Sequence, residues 1–190
     1  SLTQSPDISW SASSDIASGI ARYEYSVGSG AGLTDILAWT SSLSINPGAL
    51  SLSGLSDGGT YYVNVRVVDN AGNTSSVASS DAWIVDVSSP SSIVQVLDGS
   101  FSSSLTNSPA ITWTSSVDTG SGLNRYEYSV GTSAGATDVL TWVSNQNTSL
   151  PSGISGLSLA NEQQYFVNIR SVDNAENISS ISSSDSWLVD

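Results

Sequence analysis

The sequence predicts an all-β protein made of two β-sandwich domains in tandem. In the segment 60–69, TYYVNVRVVD, Tyr61 and three valines alternate with more polar residues. Such a period of two is typical of a β-strand with one apolar face. A similar strand returns at 164–173. Short apolar segments separated by turn residues every ~8–12 positions, with no helical periodicity, complete the pattern of a sandwich.

The duplication extends over nearly the whole sequence. The segment RYEYSVG at 22–28 returns at 125–131, and Trp39 returns as Trp142. Two repeats are too few for a solenoid, in which each repeat depends on its neighbours, so each copy is predicted to be an independent domain. We place domain 1 at residues 1–86, a linker at 87–91 and domain 2 at 92–190, because the proline in the linker blocks sheet hydrogen bonding.

Alternation and turn residues locate the individual strands. In domain 2 the segment 93–98, IVQVLD, is predicted to be a first strand that has no counterpart in domain 1. We therefore expect domain 1 to lack its N-terminal strand and to leave a sheet edge open. A strand from a neighbouring molecule could fill that edge, and a chain that starts after the strand is the simpler explanation. The strands predicted for domain 1 lie around Ile8 and Trp10 and at 22–27, 35–40, 50–55, 60–69 and 83–85.

Composition excludes several classes of function. The chain has a formal net charge of -13, and its four basic residues are all arginine. Binding nucleic acid or an anionic membrane surface needs clustered Lys and Arg, so neither partner is expected. No apolar segment approaches the ~20 residues that span a bilayer, so membrane insertion is not expected. Without His, Cys or Lys there is no ordinary general base and no catalytic triad, which predicts a non-catalytic protein without a cofactor.

Two motifs carry a resemblance to a known family. Trp10 and Trp113 stand on the predicted second strand, ahead of the Tyr-Glu-Tyr strand, and GLSDGGTY at 54–61 precedes the long strand. Together these resemble bacterial fibronectin type III domains, which are immunoglobulin-like β-sandwiches. Tyr61 and Tyr165 would then be the residues of the tyrosine corner, whose hydroxyl bonds upstream backbone.

The second copy of the corner departs from the family signature. Asp57 replaces the signature's proline in domain 1, and the segment 156–165 of domain 2 has no glycine at the turn itself. Because glycine is the residue that tolerates positive φ, we expect the corner of domain 2 to bend differently.

The resemblance also implies a biological setting. Similar repeats stand in tandem in large secreted or surface proteins of bacteria, including adhesins and extracellular carbohydrate-active enzymes. We therefore expect an extracellular or cell-surface spacer, stalk or adhesion segment. Its expected partners are other domains of the same polypeptide and a cell-surface protein or glycan. The alternatives are a carbohydrate-binding accessory module and a strand-exchanging filament subunit that self-associates through the open edge of domain 1.

One face of the central strands predicts a candidate ligand patch. Glu24 and Arg66 point away from the core on neighbouring strands, where an exposed cross-strand pair contributes about 0.2–1 kcal/mol. The alternative is a solvated sheet face that only maintains strand register. Trp10 and Trp113 are predicted to be core residues, whereas the other tryptophans could either pack or stack on sugars. The candidate patch comprises Glu24, Trp39, Tyr62 and Arg66 in domain 1, and Glu127, Trp142, Phe166 and Arg170 in domain 2.

Two acidic loops are candidates for cation binding. The segments DNAGN at 69–73 and DNAEN at 173–177 offer oxygen ligands. Calcium prefers about six to eight oxygens, and each loop supplies about three without the spacing of an EF-hand. A hairpin turn stabilised by the Asp side chain is the preferred interpretation, and a calcium site is the alternative.

Overall fold

Regular secondary structure in the computed structural model, which describes residues 6–190, consists of β-strands without helices. Within those residues, therefore, no helix could cross a membrane. The chain divides into two units, Ser1–Val87 and Ser88–Asp190. Each unit has its own buried apolar cluster, so the prediction of an all-β protein with two sandwich domains is confirmed.

Unit 1 consists of a small sheet and a larger sheet that enclose one core. The small sheet pairs β1 with β4, and the larger sheet has the order β3-β2-β5, with β6 and β7 both pairing with β5. All of these pairs are antiparallel. The strands are β1 (Asp7–Ile8), β2 (Ile20–Gly28), β3 (Leu37–Ser42), β4 (Gly48–Ala49), β5 (Thr60–Asp69), β6 (Ala78–Ser79) and β7 (Trp83–Ile84).

Unit 2 repeats this plan and adds two strands at its beginning. Its first sheet has the order β13-β10-β8, and its second has the order β12-β11-β14-β16-β9, with β15 also on β14. The two sheets together form a β-sandwich. The strands are β8 (Val96–Leu97), β9 (Phe101–Ser102), β10 (Ile111–Trp113), β11 (Leu123–Gly131), β12 (Leu140–Asn145), β13 (Ser149–Leu150), β14 (Gln164–Asp173), β15 (Ser182–Ser183) and β16 (Trp187–Val189).

The additional strand β8 accounts for the main difference between the two units. It pairs antiparallel with β10 in unit 2. In the described residues of unit 1, 6–87, the equivalent strand β1 pairs only with β4. The expectation that the first domain lacks its N-terminal strand agrees with this arrangement.

The long strand β5 builds the core because its alternate side chains enter it. Tyr61 and Val63 are buried, and Val65 packs against the same cluster. At the end of the strand the buried valine is Val68 rather than the predicted Val67. The partner strand β2 has a register shift between Ile20 and Arg22 at this point, and such bulges rotate nearby side chains.

The predicted strand at 50–55 is wrong. The structure places the strand β4 just before it, while Leu50, Leu52 and Leu55 pack against the core from irregular backbone. Gly54 has φ 77°, which interrupts the extended conformation. Only the first residue continues the pairing with the β1 region, through the Leu50 N–H and the Pro6 carbonyl at 3.0 Å. The apolar alternation in the rest of the segment therefore indicates buried side chains and not a strand.

The tyrosine corner is present in both units. The backbone N–H of Ser56 donates to the Tyr61 hydroxyl at 2.8 Å, and that of Ala160 donates to the Tyr165 hydroxyl at 2.7 Å. Each donor lies five residues before its tyrosine. The predicted anchoring of each hydroxyl to upstream backbone is confirmed.

The expectation of a different bend in domain 2 is wrong. Glu162 has φ 59° where Gly58 has φ 70°. The backbone N–H of Gly58 donates to the carbonyl of Val85 at 2.8 Å, and that of Glu162 donates to the carbonyl of Val189 at 2.7 Å. Both acceptors lie in the last strand region of their unit. The surrounding hydrogen bonds hold a glutamate in the left-handed region, at a cost of about 1–2 kcal/mol.

Replacing Glu162 with glycine should therefore stabilise unit 2 by about 1 kcal/mol, since glycine removes the left-handed penalty. Hydrogen exchange of the β14 amides in the full chain measures this change. The matched control is Gly58→Ala, which should destabilise unit 1 by a similar amount because its φ is also positive. A lower stability of the Glu162→Gly protein would contradict the assigned strain.

Candidate functional site

The predicted pair of Glu24 and Arg66 forms on the outer face of the larger sheet. The two residues are direct partners in the β2–β5 ladder. Arg66 donates from Nε to Glu24 Oε2 at 2.8 Å, and its terminal nitrogen lies 2.7 Å from the same oxygen. The cross-strand ion pair is confirmed.

A second arginine, which the sequence analysis left unpaired, completes the group. Arg22 donates from Nε to Glu24 Oε1 at 2.9 Å, so each carboxylate oxygen has its own guanidinium. The sequence did contain a signal for this contact, namely the spacing of Arg22 and Glu24, because residues i and i+2 of a strand point to the same face. Hydrogen bonds from Arg22 and then Arg66 hold the pKa of the Glu24 carboxyl below its usual value.

Trp39 covers this group from the neighbouring strand β3. The Arg66 guanidinium carbon lies 4.3 Å from the centre of the indole ring, which is the geometry of a cation–π interaction. The Glu24 side chain retains only 10% of its exposure. The predicted exposure of the pair is therefore wrong for the carboxylate, which the two arginines cover, while the arginines themselves stay partly exposed.

Unit 2 repeats this stack and extends it by one residue. Arg170 bonds Glu127 Oε2 at 2.8 Å and lies 4.2 Å from the centre of the Trp142 ring. Arg125 bonds Glu127 and also donates two hydrogen bonds to Glu176, at 2.8 and 2.7 Å. We call these two groups the outer-face stacks; they consist of Arg22, Glu24, Trp39 and Arg66, and of Arg125, Glu127, Trp142, Arg170 and Glu176.

The two remaining residues of the candidate patch lie apart from the stacks. Tyr62 is opposite Gly28 in the ladder, four residues along the strand from Arg66. At ~3.3 Å per residue this is about 13 Å away. Phe166 has the same place opposite Gly131 in unit 2. The structure thus brings together the charges and the tryptophan but not the second aromatic ring.

The other tryptophans contribute to the cores. Trp83 and Trp187 are buried and lie 5.7 and 5.6 Å from the rings of the corner tyrosines. Trp113 is buried, as predicted, whereas its counterpart Trp10 is half-buried while packing on the core. These four indoles therefore pack rather than form a coplanar surface for sugars.

The acidic loops form the predicted turns. The Asp69 carboxylate accepts the backbone N–H of Asn73 at 2.7 Å and its side-chain amide at 2.8 Å. Asp173 accepts the same pair of bonds from Asn177, at 2.8 and 2.9 Å. The hairpin turn stabilised by the Asp side chain is confirmed, and calcium binding at these loops stays a prediction.

A buried asparagine on each central strand was missed because it looked like part of a polar face. Asn64 accepts the N–H of Gly32 at 2.7 Å and donates to the carbonyl of Leu33 at 2.6 Å. Asn168 makes the equivalent bonds to Gly135 and Ala136. These asparagines fix the Gly-rich loop after β2 and the corresponding loop after β11, so they are structural residues.

Asp98 is a buried carboxyl that composition could not reveal. It follows β8 and is 0% exposed. Burial raises the pKa of the Asp98 carboxyl to about 6, and the nearby Asp185 charge also raises it. A carboxyl that keeps its proton up to pH ~6 could act as an acid, but Asp98 is fully buried in unit 2 and is not exposed to a substrate.

Comparison with known proteins gives one curated relative and several solved structures. No family model matches the chain. The chain is 34% identical over 187 residues to Exoglucanase B of Cellulomonas fimi, covering 96% of this chain but only 15% of that protein's length.

Two solved structures align with most of this chain. The fibronectin(III)-like modules of Clostridium thermocellum CbhA align with a TM-score of 0.49 and 14% identity, over 93% of this chain and 82% of theirs. The FN1–FN3 domains of chicken CNTN1 align with a TM-score of 0.49 and 16% identity, over 88% of this chain and 56% of theirs.

Substituting the shielded glutamate of the unit 2 stack should be costly. In Glu127→Ala two arginines lose their shared partner, and we expect unit 2 to be destabilised by about 1–3 kcal/mol. The matched control is Glu176→Ala, whose side chain is 62% exposed; it should cost at most about 1 kcal/mol. Equal losses of unfolding free energy in the two variants, measured by chemical denaturation, would contradict the assignment of Glu127 as the shielded partner and Glu176 as the exposed one.

The buried carboxyl predicts a pH dependence. Because the pKa of Asp98 is raised from 3.8 to about 6, the folded state retains a proton that the unfolded chain has lost. The contribution of Asp98 to the unfolding free energy is therefore present below pH ~4 and is lost by pH ~6, a fall of up to about 3 kcal/mol.

Denaturation of wild type and Asp98→Asn as a function of pH isolates this contribution. The variant should lose the fall between pH ~4 and ~6 and be the more stable protein at neutral pH. Asp185→Asn should reduce the fall without abolishing it, since it removes only the neighbouring charge. The same pH slope in wild type and Asp98→Asn would show that Asp98 titrates normally.

Proposed function

We propose that the chain is a non-catalytic extracellular module that acts as a spacer or adhesion segment within a larger bacterial surface or secreted protein. The observation that carries this proposal is the closure of each outer-face stack on itself. Arg66 has its face on Trp39 and its nitrogens on Glu24. The groups that would recognise a charged ligand are thus engaged within their own domain.

The charges of the whole chain support the same function. Its four arginines, Arg22, Arg66, Arg125 and Arg170, all form ion pairs with glutamates of the same unit. The remaining surface is acidic, with a formal net charge of -13. Net charge of one sign keeps copies apart through repulsion, which suits a segment that separates other domains.

The curated relative supports the idea of a segment within a longer chain. The chain spans 15% of the length of Exoglucanase B. A match of this size fits a module that accompanies a catalytic domain, and an extracellular location is part of the proposal. The sequence has no His, Cys or Lys from which a catalytic triad could be built. The carboxylates of Glu24 and Glu127 in the outer-face stacks are held by arginines.

A carbohydrate-binding accessory module is the second candidate function. Two observations favour it, namely the relative's name and the partly exposed indoles of Trp39 and Trp142. A sugar could stack on either ring only if the arginine left it. That movement gives up a cation–π interaction of about 0.5–2 kcal/mol, which weakens any sugar contact by the same amount.

Pulling tests the two independent domains that the spacer function requires, and glucan binding separates the spacer from the accessory module. Pulled from its ends, the full chain should unfold in two discrete events, each lengthening it by roughly 300 Å, as expected for two independent domains of this size. In affinity electrophoresis its migration should be unchanged by soluble β-glucans. Retardation by a glucan that is lost in the double variant Trp39→Ala and Trp142→Ala would overturn the spacer function in favour of the accessory module.

A further inference from the structure

Asp98 is a fully buried carboxyl of unit 2 whose oxygens have no hydrogen-bond partner. The residue is 0% exposed, and neither oxygen makes a hydrogen bond of normal geometry with the described residues 6–190. Buried polar groups in proteins almost always have such a partner, and a buried charge is normally paired with an opposite charge or bound to a metal ion. Asp98 departs from the first of these rules, which raises the question of what neutralises its charge.

No side chain of the protein is left to supply that positive charge. The sequence contains no lysine or histidine. Its four arginines form ion pairs with Glu24, Glu127 and Glu176 in the outer-face stacks. Among side chains, therefore, none remains to pair with Asp98, and its counter-charge is either a proton or an ion from solution.

Two oxygen-bearing side chains stand beside Asp98, both from the segment between β15 and β16. Burial has the largest effect on the pKa of the Asp98 carboxyl and raises it; the Ser184 hydroxyl lowers that pKa, and the Asp185 carboxyl raises it. Both side chains must lie next to Asp98 to act on it in this way. Ser184 is buried and Asp185 is exposed, so the second carboxyl connects the buried oxygens with the surface.

The ligand atoms of this group are all oxygens, which favours a hard cation. The Asp98 oxygens are not engaged by hydrogen bonds, whereas the carboxylates of Asp69 and Asp173 accept N–H groups of their own turns. Calcium takes about six to eight oxygens in flexible geometry and completes its set with water or backbone carbonyls. Magnesium needs a nearly ideal octahedron and gives up its water reluctantly, so a buried carboxyl selects calcium.

We propose that the carboxylates of Asp98 and Asp185 and the hydroxyl of Ser184 form a calcium site in unit 2. The ion takes the place of the proton as the counter-charge of Asp98 and offsets the repulsion between the two carboxylates. It connects the residue that follows β8 with the segment that leads into β16. Calcium therefore fixes the first strand of unit 2 to the last and stabilises that unit.

The test measures calcium binding by the full chain after treatment with a chelator. Calorimetric titration with CaCl2 at neutral pH should show saturable binding. At a calcium concentration about ten times Kd, hydrogen exchange of the β8 and β16 amides should slow about tenfold, because unfolding of unit 2 is suppressed by the factor 1 + [Ca²⁺]/Kd. The β5 amides of unit 1 should keep their rates, and MgCl2 should bind at least about tenfold more weakly.

Three variants locate the ion. Asp98→Asn keeps the shape of the buried side chain but removes its charge, so calcium binding should weaken at least about tenfold. This variant is expected to be the more stable protein at neutral pH without the ion, so the loss cannot come from unfolding. Asp185→Asn should weaken binding by a similar factor. The matched control Asp81→Asn changes the exposed aspartate at the equivalent position of unit 1 and should leave binding unaltered.

Three outcomes would overturn the proposal. The first is no binding up to ~10 mM CaCl2, about ten times the weakest Kd typical of extracellular calcium modules, which would leave a proton as the counter-charge. The second is undiminished binding to Asp98→Asn, which would place the ion at another acidic group. The third is equal slowing of exchange by calcium and magnesium, which would indicate screening of the net charge. None of them bears on the spacer function, which the pulling experiment and the glucan assay test separately.

Discussion

The pairing of β2 with β5, repeated as β11 with β14, is the interaction on which the rest of each unit depends. Its register places Glu24 opposite Arg66 on one face and directs Tyr61 and Val63 into the core on the other. A shift by one residue would exchange the two faces, exposing the core residues and burying the charges. The ion pair and the apolar core therefore favour the same register between β2 and β5.

The outer-face stacks show how a polar sheet face can be ordered without a ligand. Glu24 and Glu127 each receive two arginines, and one arginine of each pair lies on a tryptophan. A charged hydrogen bond and a cation–π contact restrict the same guanidinium, so the entropy of ordering that side chain is lost only once for both interactions. The result is a sheet face whose charged groups are paired with one another within the same unit.

The two units have the same backbone conformation at two turns, although the residues at those turns differ. Glu162 and Glu176 adopt the left-handed conformation that glycines adopt at the equivalent positions of unit 1. Glu176 gains two hydrogen bonds with Arg125 there, which offset its backbone strain. Tertiary hydrogen bonds thus preserve the turn where the local sequence no longer favours it, which is why the expected change at the second tyrosine corner did not occur.

The sequence by itself determined the all-β class, the duplication, the corner tyrosines and the partnership of Glu24 with Arg66, because all of these follow from a period of two and from neighbouring strands. Only the tertiary structure decided that Arg22 joins the pair and that Trp39 lies against Arg66. It also decided that the leucines at 50–55 pack without forming a strand and that Asp98 is buried. These features depend on contacts between residues distant in the chain, and no local pattern encodes such distances.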